Sequence, residues 1–150
     1  MRLRSLTRLL EVTRAVAEPR RIVIIGSASL LPAHPELGDP GQPLDASYDA
    51  DLLLDPIDEE LAAILGEAVG QQSLFTKRHG YYADILRPEM AETLPVGWEA
   101  RLHAVAGYDN VFALDPYDLE RLREFAPFAG VLTAAERAVL IRQCGYRIET

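Results

Sequence analysis

The sequence predicts an α/β (α+β) architecture, a mixed β-sheet flanked by helices, on three observations. Ile22-Val23-Ile24-Ile25 is β-branched throughout and apolar on both faces, the composition of a central strand covered on both sides. A second extended run, Tyr48 to Leu54, follows a long irregular stretch and ends in Leu52-Leu53-Leu54. Segments of helical period bracket these strands, so the order reads helix, strand, loop, strand, helix, then mostly strands and two final helices.

Leu3, Leu6, Leu10, Thr13 and Ala17 recur at three- and four-residue steps, which predicts an amphipathic helix ending near Pro19, with Arg4, Arg8 and Glu11 elsewhere around it. Its arginine face reads as solvated, with RNA contact as the sharper alternative. Gly26 permits a tight turn after the first strand, and Ser27 to Leu31 reads as a short helical piece cut off at Pro32. Pro32, Pro35, Pro40, Pro43, Gly38 and Gly41 make 32–46 a loop, either a lid over a site or a surface excursion. Asp55-Pro56-Ile57-Asp58 predicts an N-cap with proline at the first helical position, opening a helix to about Val69.

Leu74-Phe75-Thr76 and Gly80 to Leu86 read as a hairpin whose turn holds Lys77, Arg78 and His79. Arg101 to Val105 and Val111 to Leu114 are shorter strands, Asp115-Pro116 opens another helix, and Thr133-Ala134-Ala135-Glu136 is a capping box for the last one. A chain of 150 residues, 49% hydrophobic, is long enough to bury a core of its own, so 1–150 reads as one domain. Trp98 reads as a packing anchor, and His34 and His103 have no partners at helical or metal spacing.

Fifteen basic and 23 acidic residues give a formal net charge of −8, which argues against tight non-specific binding to nucleic acid but leaves room for a local basic rim. The single cysteine, Cys144, excludes an internal disulfide and makes a poor catalytic thiol. With no membrane-length apolar run and no signal-peptide core, the expected location is the cytoplasm, with no membrane partner.

Asp49-Ala50-Asp51 opens the second strand. Residues two apart on a strand share a face, so the two carboxylates can converge, while Ala50 points away. Like charges so placed raise each other's pKa unless a cation such as Mg²⁺ or Mn²⁺ offsets them. The bland alternative is a solvated strand entrance. Gly26-Ser27 suits close approach of phosphate oxygens, though such a turn also occurs simply to join strand to helix. Neither a Walker lysine pattern nor G-x-G-x-x-G is present, which disfavours P-loop and Rossmann readings.

The apolar run to Ile25, Gly26-Ser27, Asp49-x-Asp51 with its leucines, and Asp84 within Tyr82-Ala83-Asp84-Ile85-Leu86 together resemble the DNA polymerase β-like nucleotidyltransferase superfamily. Within it the chain looks most like small bacterial nucleotidyltransferase-like proteins, some of them toxins of toxin–antitoxin pairs. The resemblance covers roughly 22–119, leaving 120–150 as a helical C-terminal segment that departs from the family.

The resemblance implies metal binding by Asp49, Asp51 and Asp84, with Asp84 helping to position or deprotonate an attacking hydroxyl, and triphosphate contact by Gly26 and Ser27. A valine at Gly26 is then expected to block nucleotide while sparing the fold. Two departures stand out: the Ser27-to-Asp49 stretch is longer than in most relatives, and Pro116-Tyr117-Asp118-Leu119 lacks the usual following lysine. Arg121 or Arg123 would have to substitute, with Lys77 and Arg78 as further candidate phosphate contacts.

The implied activity is transfer of a nucleoside monophosphate from a nucleoside triphosphate (NTP) to a hydroxyl, on tRNA or another RNA or on a protein. A catalytically weak binding module working with an antitoxin-like protein partner is the alternative, and dispersed surface carboxylates with no site are the third. Convergence of the three carboxylates beside Gly26 separates the first two from the last.

Overall fold

The computed structural model describes residues 1–18 and 20–125, with the side chains of the last helix described as far as Leu122. The expected capping box at Thr133, the helix it would open, Cys144 and the Arg123 side chain lie outside the described residues. Among the described residues, nine helices and strands set the fold: α1 (Leu3–Ala17), β1 (Arg21–Ile25), β2 (Asp49–Asp55), α2 (Glu59–Val69), α3 (Leu74–His79), β3 (Tyr82–Ile85), β4 (His103–Ala104), β5 (Val111–Ala113) and α4 (Pro116–Phe125). The sheet is mixed, in the order β3-β2-β1-β5-β4, as the sequence predicts of its class.

β1 is central, antiparallel to β2 and parallel to β5, while β2 and β3 are parallel and β4 and β5 antiparallel. Ile22, Val23, Ile24 and Ile25 are all about 1% exposed or less, so both faces of β1 are covered. Filling that core are Leu6, Leu9 and Leu10 from α1, Leu61, Leu65 and Val69 from α2, and Leu52, Leu53 and Leu54 from β2. Among the described residues, no helix is long and apolar enough to cross a membrane.

Several elements differ from the sequence reading. The 74–86 segment is not a hairpin: Leu74–His79 is helical, because the Ser73 hydroxyl caps its start, accepting from the Thr76 N–H at 3.2 Å, and Gly80 ends it at φ 82°. Lys77, Arg78 and His79 then occupy the last turn, where positive charge suits the helix dipole. β3 therefore reaches β2 through a helical crossover and pairs with it in parallel.

The Asp55–Pro56 peptide is cis, and α2 starts later than expected, with Asp58 as its cap, Oδ1 accepting from the Leu61 N–H at 2.8 Å. In place of a strand from Arg101, a 3₁₀ turn spans Trp98–Arg101 and β4 is only two residues long. The proline-rich loop contains a 3₁₀ turn at Pro35–Gly38 and inserts Leu37 and Leu44 into the core at 0% and 1% exposure. The N-terminal amine donates to the Leu44 carbonyl and holds that loop against α1. The loop is thus anchored in the core rather than standing free as a lid.

Candidate metal centre

The pairing register builds the site. Asp49 lies opposite Tyr82, and Asp51 opposite Asp84 on one side and Ile25 on the other. Directly opposed residues share a face, so Asp49, Asp51, Tyr82 and Asp84 project together at the end of the sheet where β1 runs out into Gly26. Ala50, at 0% exposure, and Ala83, at 2%, point into the core on the other face and fix the phase of their strands. Asp49, Asp51 and Asp84 each offer a carboxylate oxygen within 4.8 Å of the others.

Asp51 is 9% exposed, Asp49 half-buried and Asp84 exposed, so the cluster opens to solvent on the Asp84 side. Burial first, then the neighbouring Asp49 and Asp84 charges, pushes Asp51 up to about 7. Asp49 also rises, through burial and then Asp84, against the opposing effect of a backbone hydrogen bond. The Tyr82 hydroxyl is raised by burial and by all three carboxylates. Among the described residues no basic side chain forms an ion pair with any of the three.

Gly26 abuts this cluster. Its backbone has φ 71° and ψ −168°, and a Cβ there would lie 2.5 Å from Asp51 Oδ2. The expectation that a valine at this position spares the fold is therefore corrected, because the glycine makes room for the buried carboxylate itself. Ser27 is half-buried and begins a four-residue 3₁₀ turn, in which the Ser29 hydroxyl donates to the Gly26 carbonyl at 2.7 Å.

Arg121 stacks over the Tyr117 ring at 5.2 Å, and Lys77 and Arg78 sit in the last turn of α3. Asp118, at 0% exposure, receives two hydrogen bonds from Arg101, Nε to Oδ2 at 3.0 Å and Nη2 to Oδ1 at 2.6 Å. The same guanidinium reaches the Val96 carbonyl at 3.1 Å, so Asp118 anchors α4 to the 3₁₀ turn. Sequence reading missed this pairing, since nothing local joins Arg101 to Asp118. His103, read as unpartnered, meets Asp115 at 2.6 Å, and Trp98 is 8% exposed in the core, as its packing role requires.

The donor set consists of hard carboxylate oxygens, which suits Mg²⁺ or Mn²⁺ better than a metal preferring nitrogen or sulfur. Nearly buried Asp51, with two like charges beside it and no ion-pair partner among the described residues, is a donor a divalent cation would satisfy. Comparison with protein-family models, with curated proteins and with solved structures returned no match.

Proposed function

We propose that the protein is a cytoplasmic, metal-dependent nucleotidyltransferase that moves a nucleoside monophosphate from an NTP to a hydroxyl of an RNA or protein acceptor. The observation carrying this reading is the meeting of Asp49, Asp51 and Asp84 within 4.8 Å, beside a glycine that cannot carry a side chain. Mg²⁺ or Mn²⁺ held by the three would offset their repulsion and supply electrophilic stabilisation of phosphate oxygens.

The chain's own residues would do the rest. Asp84, the most exposed of the three, would accept the proton of the incoming hydroxyl. That oxygen would bond to the α-phosphorus as the bond to the bridging oxygen breaks, and pyrophosphate would leave. Gly26 and Ser27 would give the phosphates a close backbone approach, and burial of Asp49 and Asp51 would keep their carboxylates fixed.

A second reading is favoured by the lack, among the described residues, of any ion pair to the cluster: without a cation there, the domain would bind metal and nucleotide but transfer weakly, acting with an antitoxin-like protein partner. Phosphoryl-type transfer relies on cations at the phosphates, so the rate through Lys77, Arg78, Arg121 or Arg123 would be low. Purified protein incubated with each labelled NTP, Mg²⁺ and total RNA or cell extract should label an acceptor slowly, and Asp49→Ala/Asp51→Ala should abolish the labelling. Calorimetry should show Mn²⁺ binding lost in Asp49→Asn/Asp51→Asn. Equal Mn²⁺ binding by both proteins would end both readings, whereas metal binding without labelling would select the second.

A further inference from the structure

We infer that the surface shared by the first half of α1 and by α3 docks a single-stranded polynucleotide, which makes RNA the acceptor class; that last consequence alone rests on the proposed transfer reading. On a chain of net charge −8, this surface gathers cations. Arg4 and Arg8 are exposed one helical turn apart on α1, and Lys77 and Arg78 are exposed at the end of α3. Arg8 ties the two elements together, its Nη1 donating to His79 Nδ1 at 3.2 Å and lying 3.1 Å from the Tyr81 hydroxyl.

Among the described residues, Arg4, Lys77 and Arg78 take part in no ion pair, and Glu11 is the nearest acid along the exposed face of α1. Against Arg8 lies a cluster of partly exposed rings. Phe75 and His79 are 4.5 Å apart between centroids, Phe75 and Tyr81 5.5 Å, and His79 and Tyr81 5.9 Å.

Cations alone would suit any acidic partner. Cations interleaved with rings favour unpaired bases, which stack on aromatic faces while their phosphates meet the charges. Placement favours the same partner: Tyr81 leads directly into β3, the edge strand carrying Asp84, so a strand held on this surface is directed toward the carboxylates.

The test needs neither nucleotide nor metal. Fluorescence anisotropy with a labelled single-stranded RNA of about twelve nucleotides, in EDTA at low salt, should show saturable binding. Its logarithmic salt slope should be about −2 to −3, for three or four phosphates at roughly −0.7 each. Lys77→Ala/Arg78→Ala, at exposed positions, should weaken binding about tenfold and flatten the slope by about 1.4. Asp49→Asn/Asp51→Asn should bind RNA at least as well as the wild type.

No binding at low salt, binding indifferent to Lys77 and Arg78, or equal competition by duplex RNA or polyglutamate would overturn the inference. RNA binding without any transfer would leave the surface standing and defeat the transfer reading. Transfer without RNA binding would do the reverse.

Discussion

Asp51→Asn raises the stability of the metal-free protein at about pH 8 and removes its response to Mn²⁺. In the wild type the folded state holds the Asp51 proton up to about pH 7, while the unfolded chain releases it near the ordinary aspartate value of 3.8. Between those values the folded state binds more protons, so this group's contribution to stability declines as pH rises, and is flat above the window. That is the reverse of a salt-bridged aspartate. Asp49, raised in the same direction, adds to the trend.

Asparagine keeps the shape, removes the buried charge and can donate to the carboxylates beside it. The gain at about pH 8 in EDTA should be on the order of 3 kcal/mol, and should shrink toward zero at about pH 4. Urea unfolding of both proteins across that range is the measurement. An asparagine variant less stable than the wild type at the upper end would show that the ionised Asp51 is held by favourable interactions that outweigh its burial and the neighbouring charges.

Gly26→Ala costs both stability and the metal site, and Gly26→Val costs more. The backbone at Gly26 lies where only glycine rests comfortably, a strain of about 1–3 kcal/mol for any other residue. The added Cβ also meets Asp51 Oδ2 at 2.5 Å, so the carboxylate must move out of its pocket or β1 must shift against β2. A total of about 2–4 kcal/mol is expected for alanine, with Mn²⁺ affinity reduced at least tenfold.

A double-mutant cycle separates the two causes. In an Asp51→Ala background the clash is gone and only the backbone strain remains, so Gly26→Ala should then cost less. Equal costs in the two backgrounds would assign the whole effect to the backbone. A neutral Gly26→Ala would contradict the register that sets glycine against carboxylate.

Legibility of the fold followed sequence distance. Ile22 to Ile25 and the leucine spacing of α1 are local patterns of long, strong period, and both elements lie where the sequence places them. The pairing of Asp49 and Asp51 on one face needed only the two-residue period of a strand. That Asp84 joins them depends on a parallel register across α2 and α3, which no local pattern encodes; the resemblance pointed to it, and the pairing gives it a physical basis.

The failures have local explanations too. Phe75 and Thr76 suit a strand by propensity, but Ser73 before them and Gly80 after them are a cap and a stop, and those decided the matter. The aspartate that caps α2 is Asp58, not Asp55, since the latter still belongs to β2 and pairs with Arg21. The Arg101–Asp118 contact joins two segments that each read as independent, so it emerges only once α4 has packed.

The parallel pairing of β1 with β5 governs how the molecule comes together during synthesis. β1 is the first described strand made, yet one of its two neighbours, Val111–Ala113, is the last. Until that segment arrives, Ile22 to Ile24 present an unpaired, wholly apolar edge, the type of surface that recruits strands from other chains. Closing so long a loop before its contacts reward it slows folding. A chain halted before Val111 would carry every residue of the carboxylate cluster on a sheet whose central strand is still an exposed edge, so the sheet's completion and the chain's protection from aggregation come in the same late step.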